Sequence, residues 1–195
     1  MQRKAVLSLV TKPVAAFAAK GLVHGALSPA TVHWFADDNA MKLAGADGWA
    51  PKGAHVVAHH PVPAFAAPEV LSALSRAEET GGPAPTIAAT PAQDAWSLGM
   101  LAYLVLTDAP LIPVDASASD VAAAIGTGGP LPWERAGGAL EALEDPVAGA
   151  AIRGLLQREP KKRTTAAALL GGPLFKGLAA AAAAAGTTGT PRRVK

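Results

Sequence analysis

The segment 94–107, DAWSLGMLAYLVLT, most constrains the fold, because it is apolar on nearly all sides. A helix with this pattern has to be covered all round, and it therefore belongs in the centre of a domain. Its length of about 14 residues is too short for a bilayer, which needs about 20. No apolar run in the sequence reaches the length of about 20 residues that a membrane span needs, so we predict no membrane span.

The composition favours one helix-rich domain with small-residue packing. The chain has 195 residues, of which 50% are hydrophobic but only 5% aromatic, and many of the hydrophobic residues are alanine. The formal net charge of +2 comes from 17 basic and 15 acidic residues, and it gives no argument for a nucleic-acid partner. The chain has no cysteine, which excludes disulfides and thiolate metal sites.

Turn and cap residues divide the remaining chain into short elements. Residues 5–20 predict a helix, with the alternative that Thr11 caps a fresh helix that has Pro13 in its first turn. The ranges 48–66 and 80–93 are rich in proline and glycine and predict irregular loops. A further helix is predicted to begin at residue 67. Another is predicted at 120–125, capped by Ser117 or Ser119 and ended by Gly126. The last two are predicted at 147–157, capped by Asp145 with Pro146 at its start, and at about 165–170.

The stretch 24–47, HGALSPATVHWFADDNAMKLAGAD, predicts a tight turn followed by a small hairpin. Two short apolar runs, 32–35 and 41–44, flank the polar turn Asp37-Asp38-Asn39. The order and spacing of these residues resemble the catalytic loop and the metal-binding loop of protein kinases, which read His-Arg-Asp-Leu-Lys-Pro-Glu-Asn and then Lys-Leu-x-Asp-Phe-Gly.

Further landmarks are similar, in order and spacing, to the large (C-terminal) lobe of the protein kinases. They are Lys20-Gly21-Leu22-Val23-His24, Phe65-Ala66-Ala67-Pro68-Glu69, Asp94-Ala95-Trp96-Ser97-Leu98-Gly99 and the closing stretch from Leu155 to Ala166. The resemblance covers residues 5–175. It implies a mainly α fold with a short β-hairpin and with the small lobe absent. Residues 176–195 include seven consecutive alanines and a basic end, and they are predicted to be a low-complexity tail.

The positions that shape the kinase lobe are retained. Glu69 and Arg163 match two family positions that form a buried carboxylate–guanidinium pair between the activation segment and the last helices. Asp94 matches a carboxylate that accepts hydrogen bonds from the backbone of the catalytic loop. His24 matches a residue that packs beneath this loop. The resemblance therefore predicts structural roles for these four residues.

The positions that carry the chemistry are changed. Phosphoryl transfer needs a carboxylate for the substrate proton and ligands for two Mg²⁺ ions. By the resemblance, the catalytic Asp corresponds to Ala26, the loop Lys to Ser28 and the metal-binding Asn to Thr31. The Asp-Phe-Gly triplet falls on Gly45-Ala46-Asp47 with one extra residue in the hairpin turn, or on Ala44-Gly45-Ala46 in a gapless alignment. Asp47 would need a register shift of two to reach a metal.

The phosphate-binding parts of the family are not found in the sequence. It has no glycine-rich strand-loop-strand and no Val-Ala-x-Lys lysine, so we predict no bound nucleotide, cofactor or metal. The activation-segment range 48–66 contains no Ser, Thr or Tyr, and the loop Arg is replaced by Gly25. Regulation by a phosphate on this segment is therefore not expected.

These observations predict a pseudokinase that is similar to the Scy-like subgroup. Apolar surface around Val32, Trp34 and the first helix predicts a protein partner, or an N-terminal segment that is missing from this sequence. Two alternatives stay open. In the first, the chain is an active serine/threonine kinase, and either its site residues lie at other positions than those assigned above or the chain is incomplete. In the second, it is a structural subunit of a larger assembly that uses the 80–93 loop and the Ala-rich tail as contacts. We predict a cytoplasmic location, although the start MQRKAVLSLVTKP leaves organelle targeting open.

Other candidate sites carry less weight. His55, His59 and His60 have the spacing of two metal ligands on a helix face, but the flanking prolines favour an exposed loop. Ser97 has no G-x-S-x-G surroundings for a hydrolase nucleophile. The basic clusters 161–163 and 192–195 favour a solvated face or tail over a nucleic-acid patch. The four tryptophans Trp34, Trp49, Trp96 and Trp133 are expected to pack in the core or at its edge.

Overall fold

The structure is a computed structural model, and it describes residues 2–45, 49–125, 131–134, 138–141, 143–176 and 178. Over these ranges the chain is mainly helical with short strand pairs, which confirms the fold class expected from the sequence. The helices are α1 (Gln2–Ala19), α2 (Pro68–Thr80), α3 (Pro91–Thr107), α4 (Ala118–Ile125), α5 (Pro146–Leu155) and α6 (Ala166–Gly171). The strands are β1 (Leu22–Val23), β2 (Val32–Phe35), β3 (Ala40–Leu43), β4 (Ala50–Pro51), β5 (His55–Val57) and β6 (Thr86–Ala88).

The strands form three separate antiparallel pairs, β1 with β4, β2 with β3 and β5 with β6. The pair β2–β3 is the hairpin that the sequence predicted at 32–44. It places Val32 opposite Leu43 and Phe35 opposite Ala40. None of the helices within the described ranges combines the length and the apolar character that a bilayer crossing requires.

Helix α3 is the centre of the fold, as its sequence predicted. Every residue from Gln93 to Ala102 is buried, and the helix packs against α1 and α5. It begins three residues before the predicted start, because Pro91 takes the first helical position and the Thr90 N–H donates to Gln93 Oε1 at 3.2 Å.

Helix α1 is one continuous helix that passes through Pro13, so the alternative of a fresh start at Thr11 is wrong. The Thr11 hydroxyl instead donates back to the Leu7 carbonyl at 2.7 Å within the same helix. An interior proline typically costs about 3 kcal/mol. The buried face of α1, which includes Leu7, Val10 and Val14 and packs on α3 and α6, offsets this cost. Gly21, with a φ of +69°, lies just past the helix end.

The two ranges predicted to be irregular loops contain paired strands. Range 48–66 holds β4, β5 and a 3-10 turn at Pro63–Phe65, and range 80–93 holds β6. The two ranges bind each other through Ala58 N–H to Pro85 O (2.9 Å) and Ala89 N–H to Ala54 O (2.8 Å). The prediction failed because strands of two or three residues among prolines show no alternating pattern.

The caps of the later helices largely follow the sequence. Asp145 accepts hydrogen bonds from the Val147 and Ala148 N–H groups at 3.1 and 3.0 Å, at the start of α5. Ser117 accepts from the Asp120 N–H at 3.1 Å, beside α4. Helix α5 ends at Leu155 rather than at residue 157. Gly126, the predicted end of α4, and the tail 179–195 lie outside the described residues.

The close packing of α3 on the C-terminal end of α5 predicts a strict requirement for glycine at position 99. A Cβ atom on Gly99 would lie 2.7 Å from Leu156 Cδ2 and 2.9 Å from Leu155 Cβ. We expect Gly99→Ala to lower the free energy of unfolding by about 1–3 kcal/mol, as overpacked cores do. Urea unfolding measures this change. Gly171→Ala at the end of α6 is the matched control, since its Cβ would meet no atom within 4 Å, and equal stability of the two variants would contradict the packing.

Candidate functional site

The loop 24–31 between β1 and β2 rests on one buried carboxylate, that of Asp94 in the first turns of α3. The His24 N–H donates to Asp94 Oδ2 at 2.8 Å, and the Gly25 N–H donates to Oδ1 at 2.9 Å. Burial raises the pKa of Asp94 to about 6, while these two hydrogen bonds act to lower it. The group is therefore a carboxylate at neutral pH, and both of its oxygens hold the loop backbone.

His24 ties the loop to the hairpin. Its ring is fully buried, and Nε2 lies 3.0 Å from the Ala44 carbonyl just after β3. Its Nδ1 accepts a hydrogen bond from the Ala26 N–H at 3.3 Å. Since Nδ1 accepts and Nε2 faces an oxygen, the ring is neutral with its proton on Nε2. Burial lowers the pKa of His24, in agreement with this neutral form.

Thr31, at the position that resembles the metal-binding Asn, turns its hydroxyl into the loop. The Thr31 oxygen accepts a hydrogen bond from the Ser28 N–H at 2.9 Å. The same hydroxyl faces the carbonyls of Ala26 and Ser28, at 3.1 and 3.0 Å. The side chain is buried and its bonding capacity is used inside the loop.

Ala26 and Ser28, at the positions that resemble the catalytic Asp and the loop Lys, are also buried. The Ser28 hydroxyl has no hydrogen-bond partner within the part of the chain that the structure describes. Neither position therefore presents an acid, a base or a cation to solvent.

Gly45, where the resemblance places the Asp of Asp-Phe-Gly, has a backbone that disfavours a side chain. Its φ is +85°, and a Cβ atom there would lie 3.2 Å from Thr31 Cγ2. A residue with a Cβ would be strained at this position. Ala46 and Asp47 lie outside the described residues, so the alternative register through Asp47 is not placed.

Arg163 uses all five of its N–H groups. Nη1 and Nη2 donate to the two carboxylate oxygens of Glu69 at 2.8 and 2.7 Å, which is a bidentate pair. The remaining three hydrogen bonds go to the carbonyls of Ala92 (2.8 Å), Arg158 (3.0 Å) and Gln157 (2.7 Å). The guanidinium carbon also lies 5.2 Å from the centre of the Trp96 ring.

The structure thus brings the four sequence-derived structural residues together as two pairs at one end of α3. Asp94 lies in the first turns of this helix, and Ala92, which Arg163 contacts, lies two residues before it. One pair fixes the loop 24–31, and the other fixes α2 and the segment after α5. Both therefore position backbone elements around α3.

The three histidines of the 55–60 range do not form one site. His55 and His59 are exposed, whereas His60 is buried, so the expectation of a uniformly exposed loop is wrong. His60 Nδ1 accepts from the Val62 N–H at 3.2 Å, and burial lowers its pKa to about 4. No sequence signal marked this burial, because a loop residue has no periodic neighbours that reveal its direction. Across the described ranges, no group of three metal-binding side chains occurs.

Ser97 and the tryptophans are also placed. The Ser97 hydroxyl is buried and lies 2.7 Å from the Phe65 carbonyl and 3.2 Å from the Gln93 carbonyl, which gives it a structural role. Trp96 and Trp133 lie in the core, with ring centres 6.0 Å apart. Trp34 and Trp49 are 48% and 44% exposed, so packing at the edge of the core leaves about half of each side chain in solvent.

Comparisons with known proteins support the fold. No family model matches the chain, and no curated protein matches it. Many chains of solved structures do match, including the crystal structure of a rhoptry kinase from Toxoplasma gondii. That similarity has a TM-score of 0.66 at 22% identity, and it covers 94% of this chain and 47% of the kinase chain. The chain therefore spans about half the length of that kinase, and it has a protein-kinase-like fold with the helical lobe and its small hairpins.

The bidentate pair predicts a large effect of removing one charge. We expect Glu69→Gln to lower the free energy of unfolding by about 3 kcal/mol, because it leaves the guanidinium of Arg163 buried without its counter-charge. This is the lower end of the range for buried pairs, since the Glu69 side chain keeps 28% exposure. Urea unfolding measures the loss. The control is Glu159→Gln, which removes an exposed ion pair with Lys162; a loss no larger than in the control would contradict the role of the pair.

The buried His60 predicts a loss of stability in acid. Its folded-state pKa of about 4 lies below the ordinary value of 6.5, so between these values the unfolded chain binds a proton that the folded chain does not. The contribution of neutral His60 is present above about pH 6.5 and falls by up to about 3 kcal/mol as the pH drops to about 4.

The measurement is thermal or urea unfolding at several pH values, compared with His60→Asn, whose amide oxygen can still accept from the Val62 N–H. The wild type should lose more stability in acid than this variant does. His59→Asn, at an exposed histidine, is the control and should follow the wild type. Parallel pH profiles of wild type and His60→Asn would contradict the prediction.

Proposed function

We propose that this chain is a catalytically inactive domain of protein-kinase-like fold that binds a protein partner as a scaffold or structural subunit. The observation that carries the proposal is the burial of the key side chains inside the loop 24–31. The positions that resemble the catalytic base and the metal ligand, Ala26 and Thr31, are buried, and the Thr31 hydroxyl is bonded within the loop.

The chemistry of phosphoryl transfer supports the inactive assignment. A general base contributes about 10²–10⁴ in rate, and the methyl group of Ala26 cannot accept a proton. The ligands that hold Mg²⁺ on the phosphates are carboxylate and amide oxygens in protein kinases. Thr31 and Gly45 supply neither, and the backbone at Gly45 is unfavourable for an Asp.

The surface around the loop supports a binding role. Trp34 and Phe35, in the strand that follows the loop, are 48% and 43% exposed, and the ring of Trp49 lies 5.9 Å from that of His24. Exposed aromatic side chains are enriched at protein interfaces. The pseudokinase assignment, the Scy-like subgroup and a cytoplasmic location are parts of this proposal that rest on the sequence.

The second candidate is an active serine/threonine protein kinase. Its support is the retained loop scaffold of His24 and Asp94, together with the similarity to a solved kinase structure. It would require catalytic groups at positions other than those that the resemblance assigns. Nucleotide binding separates the two candidates.

A titration of the protein with ATP and Mg²⁺, followed by thermal unfolding, tests the proposal. A ligand at 100 times its dissociation constant stabilises a protein by about 2.7 kcal/mol, which corresponds to roughly 5–10 °C in melting temperature at this chain length. We expect no such rise. The control titration replaces MgCl₂ by KCl, and a rise that requires Mg²⁺ would defeat the inactive assignment and favour the kinase.

A further inference from the structure

The hairpin β2–β3 is covered on one side only. Strand β3 packs against α1, whereas the extensive contacts of β2 among the described elements are with β3 alone. Strand β2 is therefore the strand of this two-stranded sheet that lies farther from α1. Its residues Val32 to Phe35 are half-buried at the first position and exposed at the other three.

Trp34 lies on the core-facing side of this hairpin and is nevertheless half exposed. Alternation along a strand places Val32 and Trp34 on one face, together with their cross-strand partners Leu43 and Met41. Val32, Met41 and Leu43 pack against the hydrophobic core. Trp34 retains 48% exposure because α1 covers β3 and does not extend over β2.

The outer edge of β2 has free backbone groups in a defined register. The Ala44 N–H donates to the Thr31 carbonyl at 2.8 Å, which fixes the phase of the ladder. Because antiparallel pairs alternate, His33 and Phe35 exchange hydrogen bonds with β3, and the N–H and C=O groups of Val32 and Trp34 point away from it. No loop or side-chain hydrogen bond among the described residues engages these outward groups.

The charges at the end of β2 are not balanced. Asp38 forms an ion pair with Lys42, and the Lys42 ammonium lies 4.6 Å from the centre of the Phe35 ring. Asp37, next to them in the turn, is exposed and forms no ion pair within the described part of the chain. The far end of the free edge therefore carries a carboxylate that a basic residue of a partner would complement.

We propose that an extended peptide segment of a partner protein adds to β2 as a third strand. Its backbone pairs with the outward groups of Val32 and Trp34, an apolar side chain covers the Trp34 indole, and a Lys or Arg lies at Asp37. This inference rests on the proposed scaffold function and specifies how its partner binds. A helix is the poorer occupant, because it satisfies its own backbone and would cover the free groups of the edge without pairing them.

The test uses a phage-displayed library of random peptides as the probe for the full-length protein. A selected peptide is synthesised, and its affinity and the amide hydrogen exchange of the complex are measured. We expect peptides with alternating apolar residues and a Lys or Arg near one end. Binding should slow the exchange of the Val32 and Trp34 amides by about tenfold or more, because these N–H groups become hydrogen-bonded.

Two substitutions of Trp34 separate the contribution of its side chain to the affinity from that of its backbone N–H. Trp34→Ala should weaken binding by about tenfold or more, since a central aromatic contact is lost. Trp34→Pro should weaken it further, because it also removes the outward N–H while the ladder to β3 does not use that group. Val57→Ala, at a side chain 61% exposed on a different strand pair, is the control and should leave the affinity unchanged.

Several results would overturn the strand addition. They are an empty selection, binding that leaves the Val32 and Trp34 amides unprotected, and binding that Trp34→Ala does not weaken. Protection of the same amides by self-association, seen as a dimer in analytical ultracentrifugation, would assign the edge to a second copy instead. Nucleotide binding that requires Mg²⁺ would defeat the inactive assignment in the proposed function without affecting these readouts, so the two failures are distinguishable.

Discussion

The structure depends on the carboxylate of Asp94, a charge buried at the start of the central helix. A charge in such a place is costly unless donors surround it. The donors are the backbone N–H groups of His24 and Gly25, and they reach both carboxylate oxygens only while the loop keeps its present path. Since backbone groups provide this support, the path of the loop does not depend on a side chain at position 25, where Gly25 has a φ of +73°.

Arg163 does for the C-terminal part of the chain what Asp94 does for the loop. Its five donors connect the Glu69 carboxylate on α2, the Ala92 carbonyl on α3 and two carbonyls that follow α5. Neither anchor uses the positions that resemble the catalytic base and the metal ligand, Ala26 and Thr31. The lobe can therefore keep its shape while Ala26 and Thr31 fill the loop interior, and this separation of support from chemistry underlies the proposed function.

The sequence predicted the parts of the fold that strong local patterns specify. The burial of α3 followed from its apolar faces, and the resemblance indicated the residues of the Glu69–Arg163 ion pair and the buried Asp94 carboxylate. The pairing of β5 with β6 was not predictable, because it joins two proline-rich segments through backbone groups alone. The burial of His60 and the half-exposed state of Trp34 depend on which elements cover them, and single-chain periodicity does not report tertiary cover.

The proposed function requires the loop 24–31 to be a rigid structural element of the fold. Native-state amide hydrogen exchange at His24 and Gly25 measures this rigidity, because these two N–H groups bind the Asp94 carboxylate. We expect both amides to exchange only through global unfolding, as slowly as the backbone of α3. Exchange through local opening, as fast as that of the Asp37–Asp38 turn, would contradict it.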